Sequence, residues 1–229
     1  MTAKIIEDPT LREREFVFRD RQHAGSLLAA KLRENTKKGN LILLALPAGG
    51  VPVGYAVAKE LGIPMDVMVV RKVQIPWNTE AGFGAVTWDN EIVLNEPLIA
   101  QLGPTRKDVE DSTSKTRSII KDKLKKFRGD KPMPDLKGKT VVLVDDGLAS
   151  GFTMLAAAKS ASKSKPKKII AAVPTGSIGA IKLLSSEVDE IVCLNIRTGP
   201  LFAVADAYKN WYDLTDEEVI KILENAEKI

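Results

Sequence analysis

A doubly wound α/β domain built on a mainly parallel sheet is the fold class that this sequence predicts, and three observations predict it. Short, nearly continuous runs of Val, Ile and Leu recur at residues 41–46, 67–73, 141–144, 169–173 and 191–196. Runs that are apolar on both faces suit strands of a parallel sheet covered by helices. Helix-forming stretches alternate with them at residues 50–61, 151–162 and 177–186, which is the βαβ rhythm. Finally, two of the strand-to-helix junctions are made of small residues, Ala48-Gly49-Gly50 and Ala149-Ser150-Gly151, which let a backbone approach a ligand closely.

In chain order, a helix is expected over residues 20–33 from the periodic set Ala24, Leu27, Leu28 and Leu32. The first strand runs into Pro47-Ala48-Gly49-Gly50 and a helix. The second, 67–73, places Arg71 and Lys72 at its end. An insertion of about sixty residues follows. Its opening, residues 74–84, reads as loop; residues 85–88 and 91–94 flank Asp89-Asn90 and read as a β-hairpin with a two-residue turn. A long basic helix comes next, its Ile119, Ile120, Leu124 and Phe127 giving one apolar face. After the last three strands, Thr215-Asp216-Glu217-Glu218 is an N-terminal capping box that opens a final helix to about residue 228.

Composition bounds the rest. The 229 residues suffice for one large domain, and the single Cys193, set in an apolar run, rules out an internal disulfide and favours a reducing cytoplasm. No apolar run has the length of a membrane span, and the charged N-terminus shows no signal-peptide core. The formal charge is +4, yet residues 105–131 carry ten Lys/Arg against five Asp/Glu, and residues 159–168 carry five Lys and no acid. The first run fits a solvated amphipathic helix and the second a polar connection. Neither interleaves aromatics as single-strand binders do, so no nucleic-acid partner is expected.

The richest stretch is Val141-Val142-Leu143-Val144-Asp145-Asp146-Gly147-Leu148-Ala149-Ser150-Gly151-Phe152-Thr153. A buried strand ends in two carboxylates that can accept from vicinal hydroxyls. A small-residue loop with the Ser150 and Thr153 hydroxyls then leads into a helix N-terminus, whose N–H groups and dipole favour a phosphate. Read blandly, Asp-Asp-Gly is a turn, but a turn alone does not need Ser-Gly-x-Thr immediately before a helix. The Gly49-Gly50 loop and the cations Arg71 and Lys72 belong to the same sheet edge, where open α/β folds bind ligands.

This stretch resembles the ribose-phosphate signature of the type I phosphoribosyltransferases. The resemblance extends over most of the chain, through Phe18-Arg19-Asp20-Arg21-Gln22-His23-Ala24-Gly25, Leu46–Val53, Val70–Val73 and the tail from Phe202 to Val219. It is similar to a poorly characterised prokaryotic group of that family. The resemblance implies phosphoribosyl pyrophosphate as donor, a magnesium ion, and a small nitrogenous acceptor. It implies that Asp145 and Asp146 hold the ribose hydroxyls, and that Ala149, Ser150, Gly151, Phe152 and Thr153 wrap the 5-phosphate. Ala48, Gly49 and Gly50 would form the pyrophosphate loop, with Arg71 or Lys72 nearby and Lys72 stabilising the leaving group. Residues 74–94 would be a flap, within an insertion spanning 74–139; residues 194–229 would form a hood, all within one domain of residues 1–229. Glu80 is an acid–base candidate, His23 a capping or structural residue, and Trp77 and Trp211 candidates for stacking on a base. An apolar flap or hood surface would suit a homodimer. The family usually carries Arg where this chain has Ala48, which keeps a second reading open: a non-catalytic protein that binds phosphoribosyl pyrophosphate or a nucleotide.

Overall fold

The computed structural model describes residues 2–36, 39–199 and 201–229, with the side chains of Thr79 and Glu80 outside the described set. Among the described residues, nine strands divide between two sheets. Six of them are β1 (Lys4–Ile6), β2 (Leu41–Ala45), β3 (Met65–Val67), β7 (Thr140–Val144), β8 (Lys168–Ser177) and β9 (Glu190–Arg197). These form one parallel sheet in the order β1-β9-β8-β7-β2-β3. The other three, β4 (Val70–Ile75), β5 (Asn78–Thr87) and β6 (Ile92–Leu94), form a separate antiparallel sheet.

The side-chain alternation of β2 shows why both faces need helices. Leu43 and Ala45 join one core with Val142, Val144, Ile170 and Ala172, under α1 (Arg21–Asn35) and α2 (Gly50–Leu61). Ile42 and Leu44 join the other with Val141, Leu143, Ile169 and Ala171, under α5 (Phe152–Ser162) and α6 (Ile178–Leu184). The fold class is therefore doubly wound, with β7 central as the sequence requires. The chain leaves β2 for β3 on one side and later returns to β7 on the other. α2 and α5 lie on opposite faces, so a crevice opens between the carboxyl ends of β2 and β7.

Three expectations are corrected. The run 67–73 is not one strand: β3 stops at Val67 and β4 begins at Val70 in the other sheet. Hydropathy hides the break because residues 67–70 are all buried, but in different cores. Val67 packs under α1 and α2, Met68 and Val70 under α5, and Val69 in the small core of the second sheet. Residues 74–84 are not loop but mostly strand, with Ile75 paired to Asn78 across a Pro76-Trp77 turn and a bulge at Gln74. The 85–94 hairpin has a three-residue turn, Trp88-Asp89-Asn90, closed by the Thr87 N–H donating to Glu91 O at 3.0 Å. Asn90 takes a left-handed φ of 64°, the conformation such turns need.

The second sheet is packed on both faces. α4 (Arg106–Arg128) covers Val73, Ile75, Phe83 and Val86 through Ile120, and α5 covers Val70, Ala85 and Val93. The expected flap of residues 74–94 is thus a supported sheet starting at Val70, whose turn exposes Trp77. α3 (Glu96–Leu102), capped by Asn95, and the edge strand β1 went unread in the sequence. The C-terminal hood begins later than residue 194, because β9 runs to Arg197 inside the sheet. Past it, a 3-10 turn (Val204–Ala207) leads to α7 (Asp216–Ala226), which packs on α2.

Candidate active site

The register fixes the centre of the site. Ala45 of β2 lies opposite Val144 of β7, so the residues that follow each strand emerge side by side at the crevice. Leu46 donates its N–H to Val144 O at 2.8 Å, and the next residues of the two strands touch. A Cβ on Gly49 would lie 1.8 Å from Asp146 Oδ2, and one on Gly50 would lie 2.5 Å from Val144 O. Only glycine fits at either place. The Pro47–Ala48 peptide between them and the strand is cis. The sequence-expected pairing of the Gly49-Gly50 loop with the acidic pair is therefore a direct contact.

Helix caps separate this edge from the rest of the molecule. α1, α3, α4, α6 and α7 each begin with a side chain accepting a backbone N–H, from Asp20, Asn95, Thr105, Ser177 and Thr215. Among the α-helices of the described residues, only α2 and α5 start without one, at Gly49 and Gly151. At α2 the Gly50 N–H donates to Leu46 O at 3.0 Å, the Val51 N–H donates to Ala48 O at 3.1 Å and Pro52 has no N–H. Of the two it is therefore α5 that leaves its first-turn N–H groups for something else, and both helices start at the crevice. A helix N-terminus left so is an anion site by geometry and dipole. Gly151 holds φ at 83°, and Ala149 and Ser150 are exposed beside it. Ala149 O is held by the Ser177 hydroxyl at 2.7 Å, and Leu148 bridges to Gly176.

The acids themselves are crowded. The Asp146 N–H donates to Asp145 Oδ1 at 2.8 Å. Burial, and then the adjacent Asp146 charge, push the Asp145 carboxyl well above the ordinary range. Burial also raises Asp146, opposed by Arg21. Arg21 Nε donates to Asp146 Oδ2 at 2.8 Å and Arg21 Nη1 to Tyr212 O at 2.8 Å. Its guanidinium lies 3.9 Å from the centroid of the Trp211 ring. The Tyr208 hydroxyl donates to Asp146 O at 2.6 Å.

The structure thus brings together Ala48, Gly49, Gly50, Asp145, Asp146 and the loop from Ala149 to Thr153. Arg71 and Lys72 sit apart, on β4 in the second sheet. Both border a narrow cleft with Ser112, Lys115 and Thr116 of α4, and the Lys72 stem lies across Gly82. The side chain of Glu80 lies outside the described residues. His23 is structural, its Nδ1 accepting the Arg19 N–H at 3.1 Å. A cavity of about 530 Å³ lies at the opposite edge of the sheet, walled by Leu32, Leu41, Leu61 and Ile63. Arg33, Thr36 and Glu60 also border it, and it lies away from the acidic pair. Arg21 is the residue that sequence reasoning passed over. Its signal was periodicity: it falls on the same stripe as Ala24, Leu28 and Leu32, all buried, where a cation has no packing reason to be.

The phosphoribosyl transferase domain pattern matches residues 21–203. The chain belongs to the phosphoribosyl transferase family. Within the family, it is 34% identical over 212 residues to proteins named "Putative phosphoribosyl transferase" in Mycobacterium tuberculosis strains H37Rv and CDC 1551, covering 93% of this chain. The chain spans 47% of those relatives' own length. The crystal structure of TT1426 from Thermus thermophilus is 36% identical and superposes with a TM-score of 0.73, over 91% of this chain and 98% of that one. A shorter stretch of 73 residues is 36% identical to a ribose-phosphate pyrophosphokinase of Pyrococcus furiosus, covering 31% of this chain and 26% of that one. The phosphoribosyl transferase fold, with its parallel sheet and carboxyl-edge crevice, is thus shared with a solved structure of close size.

Proposed function

We propose that this protein transfers a 5-phosphoribosyl group from phosphoribosyl pyrophosphate to a nitrogenous, nucleobase-like acceptor. The observation that carries the reading is the Asp145–Asp146 pair set between the uncapped N-terminus of α5 at Gly151 and the Ala48-Gly49 loop that presses on Asp146. Two anion sites flanking two hydroxyl acceptors match a donor with pyrophosphate at one end, phosphate at the other and a diol between. The loop from Ala149 to Thr153 would take the 5-phosphate, with the Ser150 and Thr153 hydroxyls adding donors. Ala48 and Gly49 would take the pyrophosphate through backbone N–H groups, the Gly50 N–H being donated to Leu46 O. Loss of pyrophosphate builds negative charge there, where fixed N–H donors cost no reorganisation.

Magnesium fits this donor set as a companion of the substrate. Among the described residues, no group of three or more His, Cys, Asp or Glu side chains is arranged to hold a metal, so hard pyrophosphate oxygens would carry the ion. Among the described residues, no helix is long and apolar enough to cross a membrane. The buried free thiol of Cys193 suits a reducing cytoplasm. A homodimer would bury exposed apolar side chains such as Trp77 and Tyr212.

Calorimetry with phosphoribosyl pyrophosphate and magnesium, followed by pyrophosphate release against a panel of purine and pyrimidine bases, tests the reading. Donor binding with release on one class of base is the expected result. Binding with no release on any base makes the protein a sensor of the donor, which Ala48 favours as the second reading. No donor binding overturns both.

A further inference from the structure

Arg21 is 7% exposed, and a buried guanidinium is tolerated only with partners. Its partners are one carboxylate of the acidic pair, the Tyr212 carbonyl and the face of Trp211. All but the first come from the segment after β9. That segment is zipped to the one before α1: the Phe18 N–H donates to Ala207 O at 2.9 Å, the Lys209 N–H to Phe18 O at 2.8 Å and the Asn210 N–H to Arg19 O at 2.9 Å. Phe18, Tyr208 and Trp211 stack in series, with ring centroids 5.6 and 5.2 Å apart. This hood meets Asp146 twice, through Arg21 at the side chain and through Tyr208 at the backbone carbonyl.

We propose that Arg21 is a positioning residue for phosphoribosyl transfer, the hood's clamp on Asp146, which holds that carboxylate against Gly49 in the crevice. The proposal rests on the reading of Asp146 as a ribose ligand. Asp146 Oδ2 lies between Arg21 Nε and the space a Gly49 Cβ would fill, so the guanidinium fixes where that carboxylate stands in the crevice. The groups facing the Asp146 carboxylate are Asp145, Arg21 and Tyr208. Of these, Arg21 alone is a cation, and burial keeps the Tyr208 phenol neutral by pushing its pKa up. Arg21 also sets the two acids apart. Its charge opposes the rise that burial gives Asp146, while burial and the Asp146 charge push Asp145 well up. The clamp brings a positive charge next to the pyrophosphate loop, where Ala48 supplies none.

The test compares donor binding across pH in wild type, Arg21→Met, Arg21→Lys, Asp146→Asn and the Arg21→Met/Asp146→Asn double variant, with phosphoribosyl pyrophosphate and magnesium as the probe. Arg21→Met should weaken donor binding about tenfold near neutral pH, the scale of a lost charge-assisted bond. It should also move the acid limb of binding to higher pH, because Asp146 loses the charge that opposes burial. Arg21→Lys keeps a cation but not the fork or the stack, so it should keep the wild-type pH profile with intermediate affinity. The double variant should bind no worse than Asp146→Asn alone. An Arg21→Met variant that binds with wild-type affinity and pH profile overturns the clamp. So does one that loses affinity with an unmoved acid limb, or one whose loss adds in full to that of Asp146→Asn. If Arg21→Met fails to fold, Arg21→Lys decides, since a shifted acid limb there also overturns the clamp. If wild type does not bind the donor, the clamp and the functional reading fall together; if wild type binds and Arg21 is indifferent, the clamp alone falls.

Discussion

The loop after β2 and the loop after β7 each deliver a helix N-terminus without a side-chain cap, but they are held in shape by different things. The first is shaped from outside. Gly49 and Gly50 press on Asp146 and on Val144 O of the neighbouring strand, and Ala48 offers no polar side chain. The second is shaped from within, by the left-handed Gly151 and by the Ser177 hydroxyl holding Ala149 O. It keeps two hydroxyls of its own. Substitutions in the first loop should therefore act through Asp146, and those in the second should act locally.

The largest effect is expected at Gly49. A methyl placed 1.8 Å from Asp146 Oδ2 forces the carboxylate away and Arg21 with it. Overpacking of this kind costs about 1–3 kcal/mol, so Gly49→Ala should weaken donor binding up to ~100-fold by calorimetry. The loss should shrink in an Asp146→Ala background, which makes room for the methyl. Full additivity there would break the claim that this loop is shaped through Asp146.

Replacing both acids by Asn keeps shape and removes charge, and should weaken donor binding about tenfold or more. Asp145→Asn alone should also raise the melting temperature at neutral pH. Burial and the Asp146 charge hold the Asp145 carboxyl above its unfolded pKa. A raised carboxyl contributes stability below the unfolded pKa and loses it as pH rises through the folded value. At neutral pH the native acid is thus a cost that Asn removes. A melting temperature unchanged by Asp145→Asn between acid and neutral pH would contradict this.

Gly151→Ala meets a φ of 83° and the Ala180 Cβ at 3.0 Å. The left-handed conformation costs a non-glycine residue roughly 1–2 kcal/mol, a fall of roughly 2–8 °C in melting temperature for a chain of this size. Combined with Gly49→Ala, the stability losses should add, since the two loops share no contact that ties them. Ser150→Ala and Thr153→Ala should each weaken donor binding about 2–10-fold, the worth of one neutral hydrogen bond, with no change in melting temperature. The smallest change is a gain: Ala48→Arg should tighten donor binding by roughly 2–5-fold through an exposed charge contact. Weaker binding would mean that this loop is built for a different ligand.

The contrast between the loops also explains what the sequence disclosed. The β7 loop was legible because its shape is written in its own residues: acids, glycine and hydroxyls in a row. The central strand and the helices around it were legible for the same reason, their apolar runs being uninterrupted. The split between β3 and β4 was not, because Val67, Met68, Val69 and Val70 are equally apolar and only the core each enters differs. That split carried Arg71 and Lys72 off the main sheet. Residues 74–84 escaped because Pro76, Gly82 and Gly84 signal loop, while here they serve a turn and close strand contacts. Arg21 escaped because its meaning lies in Trp211, Tyr212 and Asp146, which no local pattern connects to it.

The zipped hood has a consequence for the order in which the molecule comes together. Arg21 and the Tyr212 carbonyl it binds are 191 positions apart. Contacts of such span close the longest loops and are the last to be repaid during folding. The parallel sheet can assemble through neighbours such as β7 and β8 before the 208–212 segment arrives. Until then Arg21 can meet Asp146 only without the Tyr212 carbonyl and the Trp211 face that hold the guanidinium in place. A nascent chain halted before Tyr208 would hold a sheet with an unfinished crevice, and a protease cut between Arg197 and Tyr208 would return the mature protein to that condition. Competence of the site would then be a late event, set by contacts between the two ends of the chain rather than by the strands that carry the acids.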